Sequence, residues 1–320
     1  MAVKGGLPGD MLCPSSELKG SEKLNDILKN SNFSSNNSRT PDDRQNVGPY
    51  VTAVNAAGTT EALRAPVIAE WVRKGVNSNY AGSWFMSRGQ NVIAAPTTVN
   101  TTTTTFPTMV GLGCKSLVSD TTNTPRCTGP LTQIQLSRAD VPSSSIPLLG
   151  DAAPGDNKEA ILSTTINAAL PAGSRLSEVA CDGPCRVNVD RIQLLDGGAT
   201  GFDGLAVNLY VPTRYPNIDE LATDALAASG GPGLVLQDTR DWYATHRGGC
   251  NLLMADGSVK TLFDKNGDNF FNPGFQIPAT GFNSIADGYT SGGCEINAFD
   301  IFCGVWLTDP TKFAKATFEE

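Results

Sequence analysis

Hydrophobic residues fall along this chain in short runs separated by polar, turn-rich stretches. The opening through residue 48 is polar, apart from a short helical pattern near Ser21 to Leu28. Thr60 to Lys74 reads as a helix. Leu63, Val67, Ile68 and Val72 recur at helical spacing beside Trp71, with Thr60 at the N-cap and Glu61 in the first turn. Pro66 lies inside and points to a start one turn later. Asn79 to Met86 reads as a buried strand, and Val141 to Asp151 as a strand punctuated by prolines. Leu131 to Leu136 alternates weakly, and Gly230 to Gly233 forms a loop entering Leu234 to Asp238. Asn251 to Met254 and Val259 to Phe263 flank Ala255-Asp256-Gly257-Ser258. This predicts a β-hairpin, because Asp-Gly supplies the positive backbone angles of a tight turn. Beyond Phe275 the pattern is irregular except for Ile301 to Leu307. Short strands, few helices, no repeat period and no clean linker predict one β-rich α+β domain over residues 1–320, with an antiparallel sheet and long loops.

The chain has 320 residues, of which 18% are charged, and a net charge of −8. An acidic, weakly charged surface argues against nucleic acid as a partner, since phosphate binding calls for basic patches. No apolar run reaches membrane-spanning length. The first six residues have no apolar core of a signal peptide, which leaves a cytosolic chain or one whose export segment lies outside it. Eight cysteines bear on that choice. Cys114 and Cys127 flank a turn-rich segment, Cys181 and Cys185 close a tight loop, and Cys294 and Cys303 bracket a short apolar stretch, with Cys13 and Cys250 remaining. An even count at close spacing predicts disulfides in an oxidising, extracytoplasmic compartment; eight buried thiols are the alternative. Paired zinc-ligand spacing of the C-x-x-C kind is absent.

His246 is the sole histidine, and nine residues separate it from Asp256-Gly257. With no second histidine and no G-x-S-x-G serine beside it, it reads as a structural imidazole bonded to Asp256 or a backbone carbonyl. Gly248-Gly249 reads as close strand packing, since no P-loop is present. The loop Asp264-Lys265-Asn266-Gly267-Asp268 carries side-chain oxygens at alternating positions, with the Phe270 carbonyl and Asn272 continuing the pattern. This is the donor set Ca2+ prefers. Phe275 stands where an EF-hand has its glutamate, so Asp287 or Asp300 is expected to complete the shell. The competing reading is an Asx-rich turn bonded to its own backbone. Asp238, Arg240 and Asp241 read as a salt-bridged strand end, or as the carboxylate pair of a glycoside hydrolase. Trp84, Phe85, Trp242 and Tyr243 read as core aromatics, and the Thr101 to Thr105 run as surface.

The His246-to-Asp256-Gly257 spacing resembles the C-terminal signature of a large family of bacterial pseudopilin-like proteins with a prepilin-type N-terminal cleavage and methylation segment. Leu12 to Ser16, Asn79 to Phe85, Val141 to Asp151 and Leu236 to Trp242 agree in order. The resemblance implies a pilin-like head built as an exported, non-enzymatic subunit of a type II secretion-like or type IV pilus-like assembly. Its partners would be other pilin-like subunits or copies of itself. Related pseudopilins use calcium in C-terminal loops, which the resemblance carries to Asp264–Asn272. Family members begin with an apolar helix, the expected route to the membrane; this chain opens just before its Cys-Pro-Ser stretch without one. A secreted carbohydrate-binding adhesin or glycoside hydrolase is the alternative.

Overall fold

The computed structural model describes residues 12–29, 49–89, 130–157, 160–188, 191–194, 236–275, 288–290, 292–304 and 307. Three helices come first: α1 (Lys23–Lys29), α2 (Pro49–Ala57) and α3 (Glu61–Arg73). They pack through Leu24, Leu28, Val54, Ala65, Ile68 and Trp71, and the irregular 160–176 segment closes this layer with Leu162, Ile166, Leu170 and Leu176. Arg64 is buried among them. Its guanidinium donates to the carbonyls of Gly58, Ile27 and Leu28, so a cation satisfies the C-terminal end of α1, where the helix dipole favours it. Pro66 does not delay the helix: α3 runs from Glu61 through it. At the sixth position of the helix, Pro66 removes only one donor from a ladder whose buried face already fixes the segment.

The next elements are β1 (Tyr80–Gly82), α4 (Trp84–Arg88), α5 (Gln133–Arg138), a 3-10 turn (Ser143–Ser145) and β2 (Pro147–Asp151). The strand expected over Asn79 to Met86 is therefore half strand and half helix. The chain turns at Ser83, whose hydroxyl donates to the Pro147 carbonyl at 2.6 Å, and Trp84 and Phe85 enter the core from a helix. Around Leu131 to Leu136 the weak alternation gives way to α5, begun by a capping box between Thr132 and Gln135. β3 (Asp182–Asn188), β4 (Arg191–Leu194), β5 (Leu236–Asp238), β6 (Gly249–Met254) and β7 (Val259–Phe263) complete the order.

Two antiparallel sheets result, one ordered β1-β2-β6-β7 and the other β4-β3-β5. The predicted hairpin is present as β6–β7, with Leu253 opposite Val259 and Gly249 opposite Phe263. Trp242 lies over β2, and its indole N–H donates to the Ala81 carbonyl at 3.2 Å. It shares a core with Ala81, Ala152, Cys250, Leu252, Met254, Phe271 and Ile301. Gln237, wholly buried on β5, ties this core to α4: its side chain accepts from the Trp84 backbone N–H and donates to the Gly304 carbonyl. Phe85 stacks on Phe302 at 5.9 Å. The β-rich, antiparallel expectation holds.

The disulfide expectation does not. Cys13, Cys181, Cys185, Cys250, Cys294 and Cys303 are all free thiols, and all but Cys294 are buried. Cys181 and Cys185 do not close a tight loop, because the chain from Asp182 is strand β3. Four residues of strand separate two Cα atoms by about 13 Å, well past the ~7 Å a disulfide spans. Cys294 turns its thiol to the Ile296 carbonyl and Cys303 to that of Ile301. Cys114 and Cys127 lie outside the described residues.

Gly150 shows how tightly β2 is covered. A Cβ there would stand 2.5 Å from Leu252 Cδ2 and 2.7 Å from Trp242 Cδ1. Gly150→Ala is expected to destabilise the domain by about 1–3 kcal/mol through overpacking, read as a lower denaturation midpoint with an unchanged slope.

Candidate functional site

Three distant segments meet at the end of β2. Asp151 closes that strand with its side chain 1% exposed. His246 comes from the turn that opens the signature hairpin. Its backbone exchanges hydrogen bonds with Gly249 in both directions, at 2.8 and 3.1 Å, across the two-residue link Arg247-Gly248. Arg247 and Gly248 have φ of 53° and 85°, the left-handed pair that a tight hairpin link demands, and glycine meets that demand without strain. This turn directs the imidazole back over β2. Cys13 arrives from the N-terminal loop, held by Asn79. The Asn79 side chain accepts from the Cys13 N–H at 2.7 Å and donates to the carbonyls of Cys13 and Leu18.

The His246 Nε2 lies 3.2 Å from Asp151 Oδ2 and 3.4 Å from Cys13 Sγ. Asp151 Oδ2 also accepts from the Asn251 N–H at 2.8 Å, while Asp151 Oδ1 is buried with no hydrogen-bond partner among the described residues. The ligand atoms of Cys13, Asp151 and His246 all lie within 4.8 Å of one another, the one such group of metal-ligating side chains among the described residues. Burial, then the Asp151 charge, pushes the Cys13 thiol above its usual range. Tyr80 is pushed up to about 12 by burial and by Cys13 and Asp151 beside it. Cys250 lies behind, its thiol directed at the Asp151 carbonyl at 3.7 Å.

This is not the layout of a nucleophile–base relay. A relay places the thiol on one imidazole nitrogen and the carboxylate on the other, so that the acid orients the base. Here both converge on Nε2. Convergence of a thiol, a carboxylate and an imidazole nitrogen on one point is the geometry of ligands around a shared cation.

His246 was expected to meet Asp256 or a backbone carbonyl; its partner is Asp151. Asp256 instead folds onto its own turn, accepting from the Ser258 N–H at 2.9 Å and hydroxyl at 2.6 Å, which holds its carboxyl below the usual range. Gly257 stays in that turn, so the two ends of the nine-residue signature do not form one site.

In the loop after β7, Asp264 Oδ1 accepts from the N–H groups of Asn266 and Gly267, and Oδ2 from Asn269. Asn266 accepts from Asp268 N–H, and Asp268 from Phe270 and Thr290. Asn272 is buried and its amide bonds Gly274 and Phe275. These are the bonds of the Asx-turn reading. The carboxylate that reaches the loop is Glu295, which accepts from the N–H groups of Lys265 and Asn272. Among the described residues Asp300 makes no hydrogen bond to this loop, its carbonyl accepting instead from Lys260 Nζ, and Asp287 lies outside the described residues.

Asp238 is clasped by Arg240 through Nε at 2.9 Å and 3.0 Å, the salt-bridged strand end expected of it. Asp241 is held well above the usual carboxylate range by burial and then by Asp238 and Glu178. Sequence reasoning missed the Cys13–Asp151–His246 group because its members are 95 or more residues apart. The readable signal was the Asn79 to Phe85 and Leu12 to Ser16 stretches, which carry Asn79 and Cys13.

Comparison with known proteins adds one finding. Residues 149–269 match the model of a protein family of unknown function, DUF1559 (SBP_bac_10). The match begins beside Asp151, includes His246 and ends inside the Asp264–Asn272 loop. It lends loose support to a pilin-like relationship. No curated protein and no solved structure matches the chain.

Glu178 supplies a pH test of this acidic region. Burial and then Glu22 raise its carboxyl to about 7. A carboxyl favoured in its neutral form by folding costs almost nothing up to its unfolded value near 4.5; the cost grows between 4.5 and about 7 and is complete above that. Glu178→Gln is therefore expected to leave stability unchanged at pH 4.5. At pH 8 it should raise stability by about 1–3 kcal/mol, measured by paired denaturant titrations.

Proposed function

We propose that this chain is a non-enzymatic structural subunit. In this reading it presents a pilin-like α+β head within an extracytoplasmic pilus-like or type II secretion-like assembly. The observation that carries the reading is the family match over residues 149–269, which covers the end of β2 and the signature hairpin of the resemblance. Partners are other pilin-like subunits or further copies of the chain. Among the described residues no helix is long and apolar enough to cross a membrane. The test is fractionation and in-cell crosslinking of the native gene product. The reading expects an extracytoplasmic pool crosslinked to pilin-like subunits or to itself; a cytosolic monomer contradicts it.

Calcium in the Asp264–Asn272 loop belongs to the same proposal. Asp264, Asp268 and Glu295 bring like charge together there, and after burial that charge raises the Glu295 carboxyl, a repulsion a divalent cation relieves. In chain stripped of transition metals, added Ca2+ is expected to raise the melting temperature of the wild type by several degrees and that of Asp264→Ala by far less. Equal responses would remove calcium from the loop.

A further inference from the structure

We propose that Cys13, Asp151 and His246 form a binding site for a zinc ion that clasps the N-terminal loop to the signature hairpin. The inference stands apart from the pilin-like reading, because it uses only the three side chains and their surroundings.

Geometry is the first argument. Zn2+ binds sulfur at about 2.3 Å and nitrogen or oxygen at about 2.0–2.2 Å, so neighbouring donors around a tetrahedral ion stand roughly 3.3–3.6 Å apart. The imidazole Nε2 lies 3.4 Å from Cys13 Sγ and 3.2 Å from Asp151 Oδ2, and all three ligand atoms fall within 4.8 Å of one another. Little movement is needed to surround an ion.

The second argument is the buried, unpartnered oxygen. Asp151 is 1% exposed, and its Oδ1 has no hydrogen-bond partner among the described residues. A buried carboxylate oxygen left without a donor is costly, and a cation bound to the same carboxylate lowers that cost by neutralising its charge.

The donors choose the ion. Thiolate and imidazole are poor ligands for Ca2+ and Mg2+, which take oxygen, and together with a carboxylate they suit Zn2+. Three protein donors leave a fourth position for water, and the His246 side chain, 29% exposed, gives the ion a route in. Binding converts the Cys13 thiol to a thiolate and releases its proton to solvent, with no change of oxidation state.

The surrounding bonds pre-set the ligands. Asn79 fixes the Cys13 backbone, the Asn251 N–H orients Asp151, and the Arg247-Gly248 turn aims His246. Because the ligands lie on the N-terminal loop, the end of β2 and the start of the hairpin, the ion joins segments that no described disulfide joins.

The test uses the whole chain, reduced and stripped with chelator, then loaded with Zn2+ or with Co2+ as the spectroscopic probe. Zn2+ is expected to bind at one ion per chain, measured by elemental mass spectrometry, and to raise the melting temperature. Co2+ is expected to give tetrahedral visible bands with a thiolate charge-transfer band in the near ultraviolet. Cys13→Ser should abolish the charge-transfer band. His246→Gln, whose amide N–H can still donate to the buried Asp151 carboxylate, should weaken Co2+ affinity at least tenfold. Cys294→Ser should change neither. Absence of bound ion in the wild type overturns the site, and so does a charge-transfer band that survives in Cys13→Ser. Unchanged affinity in His246→Gln overturns it independently of how Cys13→Ser folds.

Discussion

The structure turns on one buried carboxylate. Asp151 ends the second strand of the four-stranded sheet inside a core that contains Ala152, Trp242 and Cys250. Removing a carboxylate from water costs several kcal/mol unless the surroundings compensate. The compensation comes from three places: the Asn251 N–H on the neighbouring strand, the His246 imidazole and the Cys13 thiol. Two of these partners lie on loops, Cys13 ahead of α1 and His246 ahead of β6, and the third, Asn251, lies within β6. The N-terminal loop is anchored by Asn79, and the hairpin turn by its two left-handed residues. The need to satisfy Asp151 thus links the amino-terminal loop, the sheet and the signature hairpin.

That linkage gives the His-nine-Asp-Gly spacing a physical meaning different from the one the sequence suggests. The two ends of the signature perform separate tasks. Asp256 and Gly257 shape the hairpin turn, with the carboxylate bonded to Ser258. His246 belongs to a tertiary site reached across the sheet. The nine-residue spacing follows from strand β6 itself: six residues of strand lead from the turn that aims the imidazole to the turn that reverses the chain.

Local signals were readable where local physics decides the outcome. The helix over residues 61–73 followed from its apolar spacing, and the β6–β7 hairpin from Asp-Gly between two apolar runs. The buried aromatics Trp84, Phe85 and Trp242 were also legible. Three features were not. Helix Pro49–Ala57 has small apolar residues and no marked polar face, so its periodicity is weak. The Cys181 to Cys185 stretch carries Gly183 and Pro184, turn-forming residues on a strand whose pairing slips between Asp182 and Cys185. That register shift accommodates them, and sequence alone does not show it. The Cys13–Asp151–His246 group depends on contacts between segments far apart in the chain. In the sequence Cys13 is one of eight cysteines, and a cysteine tally carries no information about which side chains meet.

The most direct test of this account is anomalous X-ray diffraction at the zinc absorption edge from crystals of the zinc-loaded chain. The account predicts one strong anomalous peak within bonding distance of Cys13 Sγ, a carboxylate oxygen of Asp151 and His246 Nε2. A map with no peak there, or one in which these three side chains stand apart, would contradict it.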